Sequence, residues 1–206
     1  MPPLVAIPPW NAEGILPPID AAAPTSANRA PYTVSLSDFV LRFSTSQERI
    51  GILTGFLNYR AALHAAGLTS GFQWVNGSFM EQVEICPRRH RPPNDVDVVT
   101  FYHLPAGATQ ATVVAAAPAL FPSTAAEHDA LKATYRVDAY PISLGTPSDR
   151  LVDRSAYWYG VWAHQKYTLK WKGFLQLDLA PAEDAAARLL LTATPPAAAT
   201  TPTPTP

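Results

Sequence analysis

Two carboxylates separated by one residue, Asp95 and Asp97, open a run of β-branched and aromatic residues near the middle of the chain. Because side chains alternate between the two faces of a strand, this spacing directs both carboxylates to the same face. Two like charges so close together repel unless a cation lies between them, and carboxylate oxygens suit Mg²⁺ or Mn²⁺. An isolated pair of this kind is more often a solvated strand end, so the metal hypothesis depends on what accompanies it.

Two further features accompany the carboxylate pair. Upstream, an apolar stretch runs into the dipeptide Gly77-Ser78, a turn that presents backbone N–H groups and a hydroxyl to an approaching phosphate. Downstream, Asp138 stands alone inside the apolar stretch 135–140. Aspartate is depleted in strands and costly to bury without a partner, and a metal held by the first pair would supply that partner. These residues therefore predict three carboxylates that converge in space.

The order of these motifs resembles that of the polymerase-β-like nucleotidyltransferases. In both, a strand ends in a Gly-Ser turn, a D-x-D pair opens a second strand, and an acidic residue lies on a later strand. The resemblance spans about residues 72–140 and implies a small mixed sheet flanked by helices, a nucleoside triphosphate (NTP) substrate and two Mg²⁺ ions. By this resemblance, the nucleotide-phosphate role falls on Gly77 and Ser78, and the catalytic and metal-ligating roles fall on Asp95, Asp97 and Asp138, with Asp138 helping to activate the attacking hydroxyl.

A longer set of short motifs looks like an uncharacterised group of bacterial nucleotidyltransferase-like proteins. This second resemblance would cover most of the chain, but it implies no known reaction. The motifs that carry it are Ile-Pro-Pro-Trp-Asn at 7–11, Gly-Ile-Leu-Pro-Pro at 14–18, Asn-Gly-Ser-Phe at 76–79 and Pro-Asn-Asp-Val-Asp-Val-Val at 93–99.

The connection between the Gly-Ser turn and the carboxylate pair is longer than is usual in that superfamily, with sixteen residues between Ser78 and Asp95. The surplus is rich in proline and arginine. If this insertion lies above the metals, Arg88, Arg89 or Arg91 would contact phosphate oxygens. The alternative is a solvated loop that keeps the protein soluble.

Lys172 is a further candidate for a contact with the triphosphate. It lies with Lys170 on either side of Trp171. The competing interpretation places both lysines on the exposed face of a strand, with Trp171 in the core or stacked on a substrate.

Helices and strands alternate along the part of the chain that must position these residues. Ser35–Asp38 and Thr45–Glu48 have the pattern of capping boxes, and Gly67 would end the second helix. The alternation predicts an α/β or α+β fold in one domain. The predicted helices cover about 36–43, 46–66, 109–117, 124–134, 148–165 and 183–191, and the predicted strands cover about 72–75, 96–104, 135–144 and 174–179.

Proline marks the two ends of the chain, where many of its 22 prolines lie. Residues 1–32 are predicted to form an extended Pro-rich segment on the surface of a domain that covers 33–194. Residues 195–206 have no apolar pattern and predict a disordered Pro/Thr tail.

Composition narrows the functional classes. With 206 residues, of which 48% are hydrophobic and 15% charged, the chain can bury one core. A formal net charge of -1 gives no strong attraction to nucleic acid, and a single cysteine excludes an intrachain disulfide. No stretch has the ~20 apolar residues of a membrane-spanning helix, and no secretory signal opens the sequence. The expectation is a cytoplasmic protein without a membrane partner.

Three hypotheses for function remain open at this point. The first is a metal-dependent nucleotidyltransferase that moves a nucleoside monophosphate from NTP to a hydroxyl of a protein, an RNA end or a small molecule. The second is a catalytically silent regulatory or binding protein with the same fold, for instance one half of a toxin–antitoxin or defence pair. The third is metal-dependent phosphodiester hydrolysis, in which water replaces the acceptor.

Overall fold

A computed structural model describes residues 3–86 and 91–193, which form six α-helices and one five-stranded mixed sheet. The predicted α/β class, with a small mixed sheet flanked by helices in a single domain, is confirmed. The strands are β1 (Tyr32–Thr33), β2 (Gly71–Asn76), β3 (Val96–Tyr102), β4 (Val137–Ser143) and β5 (Leu175–Asp178), and the helices are α1 (Leu36–Phe43), α2 (Gln47–Ala65), α3 (Gln110–Ala116), α4 (Ala125–Tyr135), α5 (Ser148–Trp162) and α6 (Asp184–Ala193).

The sheet has the order β1-β5-β2-β3-β4. β2 runs antiparallel to both β5 and β3, whereas β3 and β4 run parallel, as do β1 and β5. The carboxyl end of β2 therefore lies beside the amino ends of β3 and β4. In this register Asn76 pairs with Asp97, and Asp97 pairs with Asp138. Three segments far apart in sequence thus meet at one end of the sheet.

Side-chain caps begin the helices that pack on this sheet. Ser35 accepts a hydrogen bond from the Asp38 amide and begins α1, as its sequence pattern predicts. The second helix is capped one residue later than predicted, because the Ser46 hydroxyl accepts from the Arg49 amide. Thr124 begins α4 with a capping box, a feature that fixes the start of the helix that faces β4.

The segment after the Gly-Ser turn is anchored in the core. The ring of Phe79 is fully buried, with its centroid 5.5 Å from that of Phe43 and 6.0 Å from that of Phe39. Arg49, also fully buried, donates hydrogen bonds of 2.7 and 2.6 Å to the carbonyl oxygens of Phe79 and Glu81. Since an unpaired buried guanidinium is costly, these bonds hold the backbone beyond Ser78 firmly in place.

The proline-rich amino-terminal segment packs on the domain through a few apolar side chains. Ile15 and Leu16 are each 1% exposed, and the Trp10 indole N–H donates to the Met80 carbonyl at 2.8 Å. The segment runs into β1, a two-residue strand whose pairing with β5 the sequence analysis missed. The predicted tail, 195–206, lies outside the described residues. Among the described helices, none combines the length and apolarity needed to cross a membrane.

Candidate active site

The carboxylate pair lies at the start of β3 with the alternation that its spacing predicts. Val96 and Val98 are fully buried, whereas Asp95 and Asp97 on the opposite face are partly exposed. The partly exposed face is confined to the start of the strand, because every residue from Val98 to Tyr102 is buried. Both carboxylates therefore face the same side of the sheet.

Asp138 joins the pair through the parallel register of β3 and β4, which makes it the direct neighbour of Asp97. One ammonium group connects it to Asp95, because Lys132 Nζ lies 2.9 Å from Asp95 Oδ2 and 3.1 Å from Asp138 Oδ2. The three predicted carboxylates are thus brought together, although more than forty residues separate Asp97 from Asp138.

The Gly-Ser turn closes against this cluster. Gly77 has φ 84° and ψ -167°, a conformation that is essentially restricted to glycine. A Cβ atom at this position would lie 2.5 Å from Asp97 Oδ2. Ser78 begins a short 3₁₀ turn, Ser78–Met80, and lines the same cavity as Asp95 and Asp97. Glycine is therefore needed both for the backbone conformation and for the close approach of the Asp97 carboxylate.

Lys172 contacts the Gly-Ser turn from the interior of the protein. Its ammonium group donates to Glu81 Oε1 at 2.8 Å and to the Gly77 carbonyl at 3.2 Å, and the residue is only 5% exposed. The second oxygen of Glu81 accepts from Gln165 Nε2 at 2.8 Å. This buried ion pair positions the turn, and both of its members line the cavity.

The alternative interpretation of this segment places both lysines on an exposed face and Trp171 either in the core or stacked on a substrate. It is wrong for Lys172 and for a core position of Trp171, whereas stacking of Trp171 on a substrate stays a prediction. Lys172 is buried, and Trp171 is 44% exposed. The physical reason is that residues 163–174 contain no extended strand, so that strict alternation does not apply. An isolated bridge between His164 and Trp171 and a buried partner, Glu81, decide the orientation instead.

Lys132 and His128 contact the carboxylate cluster, and the sequence analysis missed both. They lie one helical turn apart on α4, so both face β4. His128 Nδ1 is 3.3 Å from Asp138 Oδ1, and Lys132 contacts the other oxygen of the same carboxylate. The available signal was a histidine and a lysine four residues apart on a capped helix that leads directly into the strand with the lone aspartate.

Burial and neighbouring negative charges both change the pKa of Asp97. Burial, followed by the nearby charges of Asp95 and Asp138, raises the pKa of the Asp97 carboxyl to about 6. Lys172 and Lys132 oppose this rise only in part. Burial and the charge of Asp138 also raise the pKa of the Tyr140 phenol, which lies two residues along β4. The cluster therefore carries more negative charge than its neighbours compensate.

We expect this imbalance to appear as a pH dependence of stability. An aspartate whose pKa is raised on folding binds its proton more tightly in the folded state, so stability falls as pH rises from about 4 to about 6. Relative to Asp97→Asn, which cannot titrate, the wild type should lose on the order of 2 kcal/mol across this window. Urea unfolding of both proteins at several pH values measures the difference. A constant difference would show that Asp97 ionises normally.

A cavity of about 430 Å³ opens in front of the carboxylates. One part of its wall is acidic, with Asp95 and Asp97, another is basic, with Arg91 and Lys166, and the Glu81–Lys172 ion pair lies in the same wall. The remaining wall is apolar and aromatic, formed by Val161, Trp162 and Tyr167. Arg91 thus lies at the cavity, as one hypothesis for the insertion predicts, whereas Arg88 and Arg89 lie outside the described residues.

The donor set suits a hard divalent cation. Carboxylate oxygens are the ligands that Mg²⁺ and Mn²⁺ prefer, and the absence of a side chain at Gly77 lets the Asp97 carboxylate lie against the turn. Asp95, Asp97 and Asp138 are the residues that would hold the ion. In this conformation, no three His, Cys, Asp or Glu side chains of the described ranges are already spaced as a metal cage.

Mg²⁺ or Mn²⁺ should raise the melting temperature of the wild type but not that of the double variant Asp95→Ala/Asp97→Ala. A ligand that binds only the folded state stabilises it by about 2.7 kcal/mol at 100 times its dissociation constant. Differential scanning fluorimetry across a range of metal concentrations measures the shift. An equal shift in both proteins would place the bound metal elsewhere.

Comparison with known proteins identifies a family. A model described as "Family of unknown function (DUF6932)" matches residues 8–178, which is most of the chain, and the chain therefore belongs to this family. Neither the comparison with curated proteins nor the comparison with solved structures found a match.

Proposed function

We propose that this chain is a metal-dependent nucleotidyltransferase that moves a nucleoside monophosphate from NTP to a hydroxyl acceptor on a protein, an RNA end or a small molecule. The observation that carries the proposal is the meeting of the Gly-Ser turn, Asp95, Asp97 and Asp138 at one end of the sheet. A glycine turn and paired carboxylates that line one cavity, with a third carboxylate beside them on the neighbouring strand, are the parts that this chemistry needs.

The cavity offers a separate surface to each part of a nucleotide. Arg91 and Lys166 bring positive charge to the phosphates, and the Ser78 hydroxyl and the turn backbone offer hydrogen bonds. Trp162 and Tyr167 provide aromatic surface for a base. A bound Mg²⁺ or Mn²⁺ would neutralise charge that develops on the phosphoryl oxygens and on the departing pyrophosphate.

Transfer forms one bond and breaks another. The acceptor oxygen bonds to the α-phosphorus, the bond from that phosphorus to the β-phosphate oxygen breaks, and pyrophosphate leaves. The proton of the acceptor hydroxyl passes to Asp138, whose carboxylate lies beside Asp97. His128, which contacts the same carboxylate at 3.3 Å, orients it and would relay the proton to solvent.

The catalytically silent alternative is favoured by one specific observation. Lys132 contacts both Asp95 and Asp138 and so neutralises part of the charge that would attract a metal. A protein of this kind would bind a nucleotide or a partner through the same cavity without turnover.

One experiment separates these functions. The purified protein is incubated with Mg²⁺ and each of the four NTPs labelled at the α-phosphate, with and without cell extract separated into protein, RNA and small-molecule fractions. The proposal expects label in one acceptor fraction and equal amounts of pyrophosphate. Release of labelled monophosphate without an acceptor would favour hydrolysis. Nucleotide binding without label in any product would favour the silent alternative.

A further inference from the structure

A lysine lies where a cation would be expected. Lys132 Nζ is within 3.1 Å of one oxygen of Asp95 and one oxygen of Asp138, and its side chain is 37% exposed. Both distances are those of hydrogen-bonded ion pairs between an ammonium group and a carboxylate oxygen. Two of the three carboxylates therefore share a fixed positive charge that belongs to the protein.

The position of Lys132 is determined by the fold and not by a chance contact on a mobile surface. It lies on α4, whose start is fixed by the Thr124 cap and whose end leads directly into β4. His128, one turn earlier, contacts the other oxygen of Asp138. Asp97 differs from its two neighbours, because no described residue donates a hydrogen bond to its carboxylate or forms an ion pair with it.

The balance of charge limits how many metal ions the site can hold. Lys172 is already balanced by Glu81 in a separate buried pair. The three carboxylates of Asp95, Asp97 and Asp138 carry three negative charges. The ammonium group of Lys132 and one divalent ion together balance these charges. A second divalent ion would leave two positive charges in excess in a partly buried site, which is unfavourable.

We propose that Lys132 takes the place of one of two cations, so that the cluster binds a single divalent metal ion, on the side of Asp97. This inference rests on the proposed metal-dependent function and adds to it the number of ions and a residue that substitutes for one of them. Lys132 acts as a positioning residue: its charge holds the carboxylates of Asp95 and Asp138 together.

The test is the number of Mn²⁺ ions bound per chain, measured without nucleotide by titration calorimetry and electron paramagnetic resonance. The wild type should bind one isolated Mn²⁺. Lys132→Met, which keeps the length and loses the charge, should bind two, and their proximity should broaden the resonance by spin–spin coupling. The rise in melting temperature with Mn²⁺ should also be larger for this variant than for the wild type.

Two matched variants separate charge from other effects. Lys132→Arg keeps the positive charge and should bind one Mn²⁺. Lys166→Met removes an exposed lysine that lines the same cavity, and it should also bind one. Circular dichroism confirms that each variant is folded before it is titrated.

The possible outcomes distinguish this inference from the proposed function. Two coupled Mn²⁺ ions in the wild type, or one uncoupled ion in folded Lys132→Met, would overturn the role of Lys132 and leave a metal-dependent transferase intact. If neither the wild type nor any variant binds Mn²⁺, the metal-dependent function fails and this inference fails with it.

Discussion

Asp97→Asn is expected to reduce nucleotidyl transfer by at least about 10³-fold, which corresponds to about 4 kcal/mol of lost transition-state stabilisation. Asparagine keeps the size of the side chain but removes its charge. Of the three carboxylates, Asp97 is the one that forms no ion pair with a described residue. It is therefore the carboxylate that depends most on a metal. Transfer of label from α-labelled NTP, measured at saturating Mg²⁺, gives the size of the loss.

The matched control for this prediction is Asp153→Asn, which changes the net charge equally at an exposed position on α5. It should transfer label as the wild type does. Asp97→Asn should remain folded, because the substitution removes a carboxylate that burial and like charges disfavour. Full activity in Asp97→Asn would mean that the D-x-D pair does not hold a metal that the transfer reaction needs.

The helices and strands show how far local sequence determines this fold. Ser35 and Asp38 are three residues apart, so the cap of α1 is a local interaction and could be predicted. The strand β1, in contrast, has only two residues, and its existence depends on pairing with β5, over 140 residues later. A strand of this length has no periodicity to detect. The order of the strands is likewise a property of the assembled sheet.

The residues of the site also differ in how far the local sequence predicts them. The convergence of Asp95, Asp97 and Asp138 was predictable, because each is a polar residue at the start of an apolar strand and needs a partner. The role of Lys132 was not predictable, since a lysine near the end of a helix usually reaches solvent. Only the packing of α4 on β4 directs its side chain toward the carboxylates. The burial of Lys172 depends on Glu81, 91 residues earlier, and no local pattern indicates that ion pair.

Gly77 is the residue at which backbone conformation and chemistry depend most directly on each other. Its φ of 84° with ψ of -167° disfavours any side chain, and the space that a side chain would need is taken by the Asp97 carboxylate. Gly107 provides a contrast in the same protein. It also has a positive φ, 76°, but a Cβ atom there would meet nothing within 4 Å.

Gly77→Ala and Gly107→Ala should therefore have different consequences for function. Gly107→Ala should lose about 1 kcal/mol of stability from backbone strain alone and keep its metal response and transfer activity. Gly77→Ala should lose about 1–3 kcal/mol, because the strain is greater and the carboxylate must move. It should also lose most of its Mg²⁺-dependent stabilisation and its transfer activity, since the methyl group displaces Asp97 from the turn that would hold the phosphates. Urea unfolding with and without Mg²⁺, together with label transfer, separates the two effects. If Gly77→Ala is destabilised but keeps both its metal response and its transfer activity, the contact between the turn and Asp97 is structural, and the phosphate-binding role of the turn is wrong.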